Sequence, residues 1–508
     1  MTEKVVSFEQ AVSWIEDNST VFVCGIENIM LPDRTLKALE DRFLAEGHPC
    51  GMTEIHTTIH GMGDGVGLER FAHPGMVKRV IGSGFSFLKT SKMTAMLREN
   101  KVEAYVIPMG TLFEILHQTG AGETCTFTRT GIGTFVDCDV EGGRMNEISS
   151  EPICEKITIK GNDYLCYQNP RIDVAIIRGT TVDEDGNLTV EQEPVNAGVL
   201  SAAMAAKASG GKVIVQASRL ARRGSLHPRK VLVPGIMVDY IVIDPEQGIS
   251  GGASVNPSLT GEIKIPVSEL PALSLDCKKV IARRAAMEIG ENDRVINLGV
   301  GIPANIPMIQ VEEKGGIEST FFPEHGSIGG VPAERKIFGV NRNPSAILDS
   351  SFVFPYYRGG GLDITFLGFG EMDRHGNVNV SKFNHIVPGC GGFIDITHKT
   401  KKLVFCGTFS AVGAEFEIGN GKLTILKEGQ QPKIVDQVEQ ITLNGRMAYE
   451  HGQELLYITE RCVFRYGEDG LELLEAAPGI DIEKDILDRL PFVVKADQVK
   501  RMPDDIFR

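Results

Sequence analysis

Three short patterns recur in this chain at one fixed separation. Asp173-Val174 returns as Asp363-Ile364, Gly186-Asn187 as Gly376-Asn377, and Lys212 at the head of a β-branched run as Lys402, each 190 residues apart. One offset shared by three motifs calls for two copies of a supersecondary unit, so the chain is expected to hold two related halves. Upstream, FEQAVSWIEDNSTVFVCG resembles ARRAAMEIGENDRVINLG and pairs Gly25 with Gly299, 274 residues apart. The first half then carries about 84 extra residues between its first strand and Asp173. Aligning His60-Gly61 with His325-Gly326 puts Ile59 where the second half has Glu324.

The repeated unit reads as strand, helix, strand. Apolar β-branched runs at Thr20–Cys24, Ala104–Ile107, Val174–Ile177, Lys212–Val215 and Tyr240–Ile243 alternate with helical stretches, and a second set follows at Arg294–Leu298, Asp363–Leu367 and Lys402–Cys406. That alternation predicts a largely parallel sheet in each half. The fold class expected is α/β, with two related open α/β domains from an internal duplication. The 508 residues exceed one ordinary core at a prior of roughly 150 per domain. The Gly, Ser and Pro-rich segment PEQGISGGASVNPSL reads as a connection. The domains are placed at 1–274, including that connection, and 275–508.

Within the second half, PEHGSIGG at 323–330 follows the short apolar run Ile317–Phe322. A turn straight after that strand projects Glu324 at the carboxyl edge of the sheet, where open α/β sheets bind ligands. Gly326, Gly329 and Gly330 permit left-handed backbone and are candidates for an anion-binding nest. By itself the stretch also fits a surface turn with a solvated Glu324.

Composition removes other classes. A net charge of −15 disfavours nucleic-acid and anionic-membrane binding, both of which use basic patches. No apolar run reaches the 18 or so residues of a membrane span, and MTEKVVSFEQAVSWIED lacks a signal-peptide layout, so a cytoplasmic protein is expected. The ten cysteines, Cys125, Cys138 and Cys390 among them, show no zinc spacing and read as reduced thiols. Gly61–Gly67 lacks the context of a dinucleotide site, and no Walker A lysine occurs. His56 and His60 stand at i, i+4 but in TTIH, an extended-looking stretch, so no metal site is expected.

Taken in order, NLGVGIP (297–303), PEHGSIGGVP (323–332), GGGLDITFLG (359–368), DRHGNVNVSKF (373–383), PGCGGFIDIT (388–397) and KKLVFCGTF (401–409) resemble the family I coenzyme A transferases. YITERCVFR and APGIDIEKDIL extend the likeness near the C-terminus, and AHPGMVKRVIGSGF, TRTGIGTFVD and DVAIIRGTTVDEDGN carry it into the first half. Within that family the chain is most similar to single-chain short-chain acyl-CoA transferases of the propionate and acetate type. The resemblance implies an α-subunit-like half fused to a β-subunit-like half, with a site between them and Glu324 as covalent carrier. It also implies short-chain acyl-CoA and carboxylate substrates, coenzyme A as substrate with no permanently bound cofactor, and a homo-oligomer, tetramers included. Family members commonly show ENG or ESG where this chain has EHG. Related ketoacid transferases have PQG where it has Pro108-Met109-Gly110, so Met109 is an acyl-pocket candidate, or a gap filler in a core.

Such chemistry builds negative charge on carbonyl oxygens and needs donors aimed at it. The candidates are the Gly299-Val300-Gly301 turn, Gly391-Gly392, and the Asn377 side chain, although HGN also makes a good turn. His325 is not expected to act as a base, because exchange between carboxylates transfers no proton. The residues leave open an acyl-CoA hydrolase on the same glutamate, or an acyl-CoA sensor without chemistry.

Overall fold

In the computed structural model, which describes residues 4–61, 63, 65–248, 255–333, 337 and 339–508, the β-branched runs form two eight-stranded sheets. The first contains β1 (Thr20–Val23), β2 (Met52–Ile55), β3 (Val77–Gly82), β4 (Glu103–Val106), β5 (Val174–Asp183), β6 (Lys212–Ala221) and β7 (Tyr240–Ile243). Their order is β7-β6-β5-β1-β2-β3-β4, with Leu188–Thr189 paired to β5. All ten residues of β5 are buried, as expected for a parallel strand covered on both faces.

The second sheet contains β8 (Val295–Leu298), β9 (Thr320–Phe321), β10 (Ile364–Gly368), β11 (Lys402–Cys406), β12 (Glu454–Ile458), β13 (Cys462–Gly467) and β14 (Gly470–Ala476). Its order is β9-β8-β10-β11-β12-β13-β14, closed by Lys500–Arg501. The strands from β9 to β12 are parallel, and β13 and β14 add an antiparallel edge. The order β2-β1-β5-β6-β7 in one half and β9-β8-β10-β11-β12 in the other is the same order.

Strand register tests the repeat residue by residue. Lys212 pairs with Val174, and Lys402 with Ile364, which keeps the 190-residue offset. Val21 pairs with Val174, and Ile296 with Ile364 by the same geometry, so Cys24 rather than Gly25 matches Gly299. On the other side Val21 pairs with Glu54 and Ile296 with Phe321. Counting three residues on, Thr57 rather than Ile59 occupies the position of Glu324. The sequence alignment slipped because the segments after β2 and β9 differ in course, and only pairing fixes register.

The repeated Asp-x-x-Gly-Asn motif is a turn in both halves. Asp183 accepts from the Asn187 backbone N–H (2.9 Å) and side-chain amide (3.0 Å), and Asp373 does the same for Asn377 (3.1 and 3.0 Å). The Asn oxygens then accept from Gly235 N–H (2.9 Å) and Gly445 N–H (3.0 Å).

The extra residues of the first half supply β3, helix α1 (Lys92–Arg98), β4, helix α2 (Met109–Gly120) and a three-stranded antiparallel sheet over Cys125–Thr128, Cys154–Ile159 and Asn162–Gln168. Of the connecting segment, residues 249–254 lie outside the described residues, as do Met62 and Asp64 of the glycine-rich stretch. One apolar core runs through both sheets, joining Phe22, Ala175 and Val213 to Phe354, Phe405 and Tyr457. At its centre Phe113 on α2 stacks on Phe354 of helix α3 (Ser350–Arg358), ring centroids 5.9 Å apart.

Candidate active site

Glu324 stands in the turn that follows β9. The strand end is pinned from behind: the Tyr357 hydroxyl donates to the Phe322 carbonyl (2.6 Å), and so does the Asn297 amide (3.2 Å). With Phe322 fixed, the Glu324 side chain leaves the edge in one direction. It retains 19% of its side-chain surface, enough to be reached by a ligand. Among the described residues its carboxylate takes no hydrogen-bond donor. Its neighbouring ring nitrogen, His325 Nε2, is 3.8 Å away. Burial, reinforced by the Asp395 carboxylate, pushes Glu324 up to about 7.

The opposite wall is a loop of the second half that the first half braces. The loop Pro388–Gly392 wedges against Ser83–Gly84: Gly391 N–H donates to Ser83 O (2.9 Å), and Ser86 N–H to Val387 O (3.3 Å). Contact is so close that a methyl group on Gly84 would lie 1.8 Å from Pro388 O. Met109, at the start of α2 and 1% exposed, donates its N–H to Gly391 O (3.1 Å). The next residue, Gly110, donates to Asp395 Oδ2 (2.9 Å). The turn is therefore held by both halves, and it presents Gly392 to the glutamate. A methyl group on Gly392 would lie 2.4 Å from Glu324 Oε2 and 3.0 Å from Phe354 Cε1.

The donor candidates separate. Gly299 N–H is spent on Phe366 O (2.7 Å) and Gly391 N–H on Ser83, whereas Val300 and Gly301 sit in an exposed turn with no acceptor for their N–H groups among the described residues. Gly392 N–H likewise has no acceptor among the described residues. Asn377 is corrected: its amide donates to Asp373 within the turn and its oxygen accepts from Gly445 N–H, as those of Asn187 do with Asp183 and Gly235, so it is scaffold. The nest expected from Gly326 and Gly329 is also corrected, since their N–H groups donate to Pro323 O (3.2 Å) and Phe321 O (2.8 Å).

His325 is 4% exposed, and burial pushes it down to about 3, so its imidazole is neutral near pH 7. Asp395 was missed from sequence. It is fully buried in the five-residue helix Phe393–Thr397, and burial pushes it up to about 6, opposed by Arg358, whose Nε is 4.0 Å away. A carboxylate between apolar neighbours in FIDIT was the available signal. Tyr357 and Phe354 carried none.

His56 and His60 do come together, around Glu54, which also escaped the sequence reading. Glu54 Oε2 is 2.8 Å from His56 Nδ1 and its Oε1 is 2.9 Å from His60 Nε2, all three side chains being fully buried. His56 Nε2 meets Gly84 O at 2.8 Å, so both its ring nitrogens face acceptors. All ten cysteines are free, and burial raises Cys390 well above the ordinary thiol value.

The chain that builds this site, a lone carboxylate at a sheet edge walled by a glycine turn of its own half that the first half braces, is similar to named proteins. The chain is 41% identical over 522 residues to a caffeate CoA-transferase of Acetobacterium woodii, covering 99% of this chain and 97% of that protein. The chain belongs to the coenzyme A transferase family. The sequence profile of that family, described as Coenzyme A transferase, matches residues 5–244. Acetate CoA-transferase YdiF of Escherichia coli O157:H7 is 38% identical over 508 residues, covering 99% of this chain and 95% of that one. The crystal structure of its thioester complex with CoA superposes with a TM-score of 0.93 at 36% identity, covering 100% of this chain and 96% of that chain. The α subunit of the acetoacetyl-CoA:acetate/butyrate CoA transferase of Clostridium acetobutylicum is 30% identical over 246 residues, 48% of this CoA-transferase and 100% of that subunit. Two fused subunit-like halves thus form this transferase. Among the described residues, no helix is long and apolar enough to cross a membrane.

Proposed function

We propose that this CoA-transferase moves coenzyme A between a short-chain acyl-CoA and a short-chain carboxylate, with Glu324 as the covalent carrier. The observation that carries the reading is the Glu324 carboxylate itself, free of donors among the described residues and partly open. It is pressed against Gly392, in a turn that both halves hold. A carboxylate without hydrogen-bond donors is poorly solvated and therefore a better nucleophile than a hydrated one.

In the first step Glu324 attacks the thioester carbonyl, the C–S bond breaks, and a mixed anhydride and CoA thiolate result. The thiolate then attacks the glutamyl carbonyl, forming glutamyl-CoA and releasing the first acid. The acceptor carboxylate reverses both steps, so ping-pong kinetics are expected. The N–H groups of Val300, Gly301 and Gly392 are the donors free to meet the oxyanions, each contributing about 3 kcal/mol when aligned. Neutral His325 fits an exchange without proton transfer. Met109 and Phe354 beside the turn give the acyl group an apolar wall, which favours a small alkyl chain over a charged one.

Incubation with acetyl-CoA and intact-mass measurement tests the assignment. A CoA adduct is expected on the wild-type chain, mapping to Glu324 and absent from Glu324→Ala. Rapid release of free CoA that neither acetate nor propionate alters would sink the transfer reading in favour of hydrolysis.

A further inference from the structure

Above the second sheet, a cation stands without a counter-ion. Lys433 follows the short antiparallel pairing of Ser410–Ala411 with Gln431–Pro432. Its Nζ lies 4.1 Å from the Phe369 ring centroid, and a methyl group on Gly407 would be 2.7 Å from it. Phe369 and Gly407 are the first residues beyond β10 and β11. Among the described residues, Nζ has no hydrogen-bond acceptor and no carboxylate at ion-pair distance. The acid whose charge it feels, Glu460, is already committed to Phe409 N–H (2.9 Å) and Arg461 Nε (2.8 Å). Burial pushes Lys433 down to about 8, against the pull of Glu460, which leaves it mostly charged at neutral pH. A half-buried ammonium is costly unless something anionic joins it.

Its position says what. The sheet order β9-β8-β10-β11-β12 reverses direction between β8 and β10, and open α/β sheets bind ligands in the crevice outside that reversal. Val300 follows β8, and a methyl group on Gly368 would lie 3.6 Å from Val300 O. Phe369, under the Lys433 ammonium, comes next. Glu324 leaves the same edge at β9, two to three strands along, or about 10–15 Å at ~4.8 Å per strand. An extended pantetheine arm separates a thioester from a diphosphate by a distance of that order.

The first half shows the same crevice closed. By register Arg178 occupies the position of Gly368, and Ala217 that of Gly407. The Arg178 guanidinium fills the space, donating to Glu193 Oε1 (2.9 Å) and Leu31 O (3.1 Å), while Gln247 donates to Gly179 O (2.7 Å). Those groups satisfy one another. In the second half glycine empties the crevice and leaves Lys433 unanswered.

We infer that Lys433 binds the diphosphate of the CoA nucleotide at the β8/β10 crevice, an inference that rests on Glu324 meeting the thioester. The contact is made equally in ground and transition states, so its loss acts mainly on KM.

The test measures wild type, Lys433→Met and Lys433→Arg with acetyl-CoA and with acetyl-dephospho-CoA, propionate as acceptor, and inorganic diphosphate as competitor. Lys433→Met should lower kcat/KM by about 10- to 100-fold with both donors, chiefly through KM, and weaken diphosphate inhibition by a similar factor. Lys433→Arg should restore most of both, and Lys433→Gln replaces the Met variant should that one fail to fold. A deficit confined to acetyl-CoA would move the contact to the ribose 3′-phosphate and overturn the assignment. So would diphosphate inhibition that is absent from the wild type or unchanged in Lys433→Met. Failure of the wild type to transfer CoA from acetyl-CoA would strike instead at the role of Glu324.

Discussion

The turns that follow β2 and β9 occupy equivalent places in the two halves and treat a carboxylate in opposite ways. In the first half the acid lies within the strand, at Glu54, where burial would raise its pKa. His56 and His60 overcome that and hold it at about 2. In the second half the acid lies three positions later, past the strand end, and among the described residues no cation meets it. Burial and Asp395 push Glu324 up to about 7. The same framework thus makes a closed ion cluster from one carboxylate and an open, reactive one from the other. What differs is whether the residue ends inside the ladder or beyond it.

Removing either acid should separate these roles. Glu324→Ala is expected to lower transfer by at least about 10⁴-fold, as loss of a covalent nucleophile does, with an unchanged melting profile. Residual turnover within tenfold of wild type would refute the contrast. Glu54→Gln strands a buried imidazolium, because both nitrogens of His56 face acceptors, and breaking such a pair costs about 3–5 kcal/mol. A lower urea midpoint at pH 7 is the expected outcome. Since the Glu54 pKa is depressed in the fold, its contribution is full above the ordinary carboxylate value and fades as pH falls toward 2. The stability gap between wild type and variant should therefore narrow in acid; a gap constant from pH 7 to 3 would speak against an ionic origin.

Gly392→Ala tests the wall of the open site. A methyl group 2.4 Å from Glu324 Oε2 has to displace the carboxylate, and a shift of that order should cost about 100-fold in kcat while the chain stays folded. The smallest effect expected is on pH dependence. A nucleophile held up to about 7 is protonated below that value, so kcat/KM should rise with pH through this region. Asp395→Asn keeps an acceptor for Gly110 N–H and removes the like charge, so the rise should move to lower pH. Arg358 and Glu114 also act on Asp395, while His325, neutral down to about 3, contributes no charge. A limb that stays put would show that burial alone sets the Glu324 pKa, and one that moves upward would overturn the like-charge role given to Asp395.

Much of the framework was legible beforehand. The strands at Tyr240–Ile243 and Lys402–Cys406 were placed to the residue, and the other predicted runs overlap parallel strands, because apolar β-branched stretches report burial directly, whereas β2, β3 and β12 had no predicted run. The equivalence of the two turns was read two residues out, since insertions after β2 leave no pattern from which to count. Asn377 misled for a related reason: a motif present in both halves marks what both halves need, which is the turn. Asp395, Glu54 and Lys433 gave little warning, as each acquires its meaning from groups far away in sequence.

The sequence by itself determined the duplication, the parallel sheets and the isolated carboxylate at a strand end, because those rest on periodicity and local turn chemistry. Only the tertiary structure decided which donors remain free, which acids are paired and which cation lacks a partner. Burial and long-range packing set each group's charge and reach, and neither is written in the spacing of neighbouring residues.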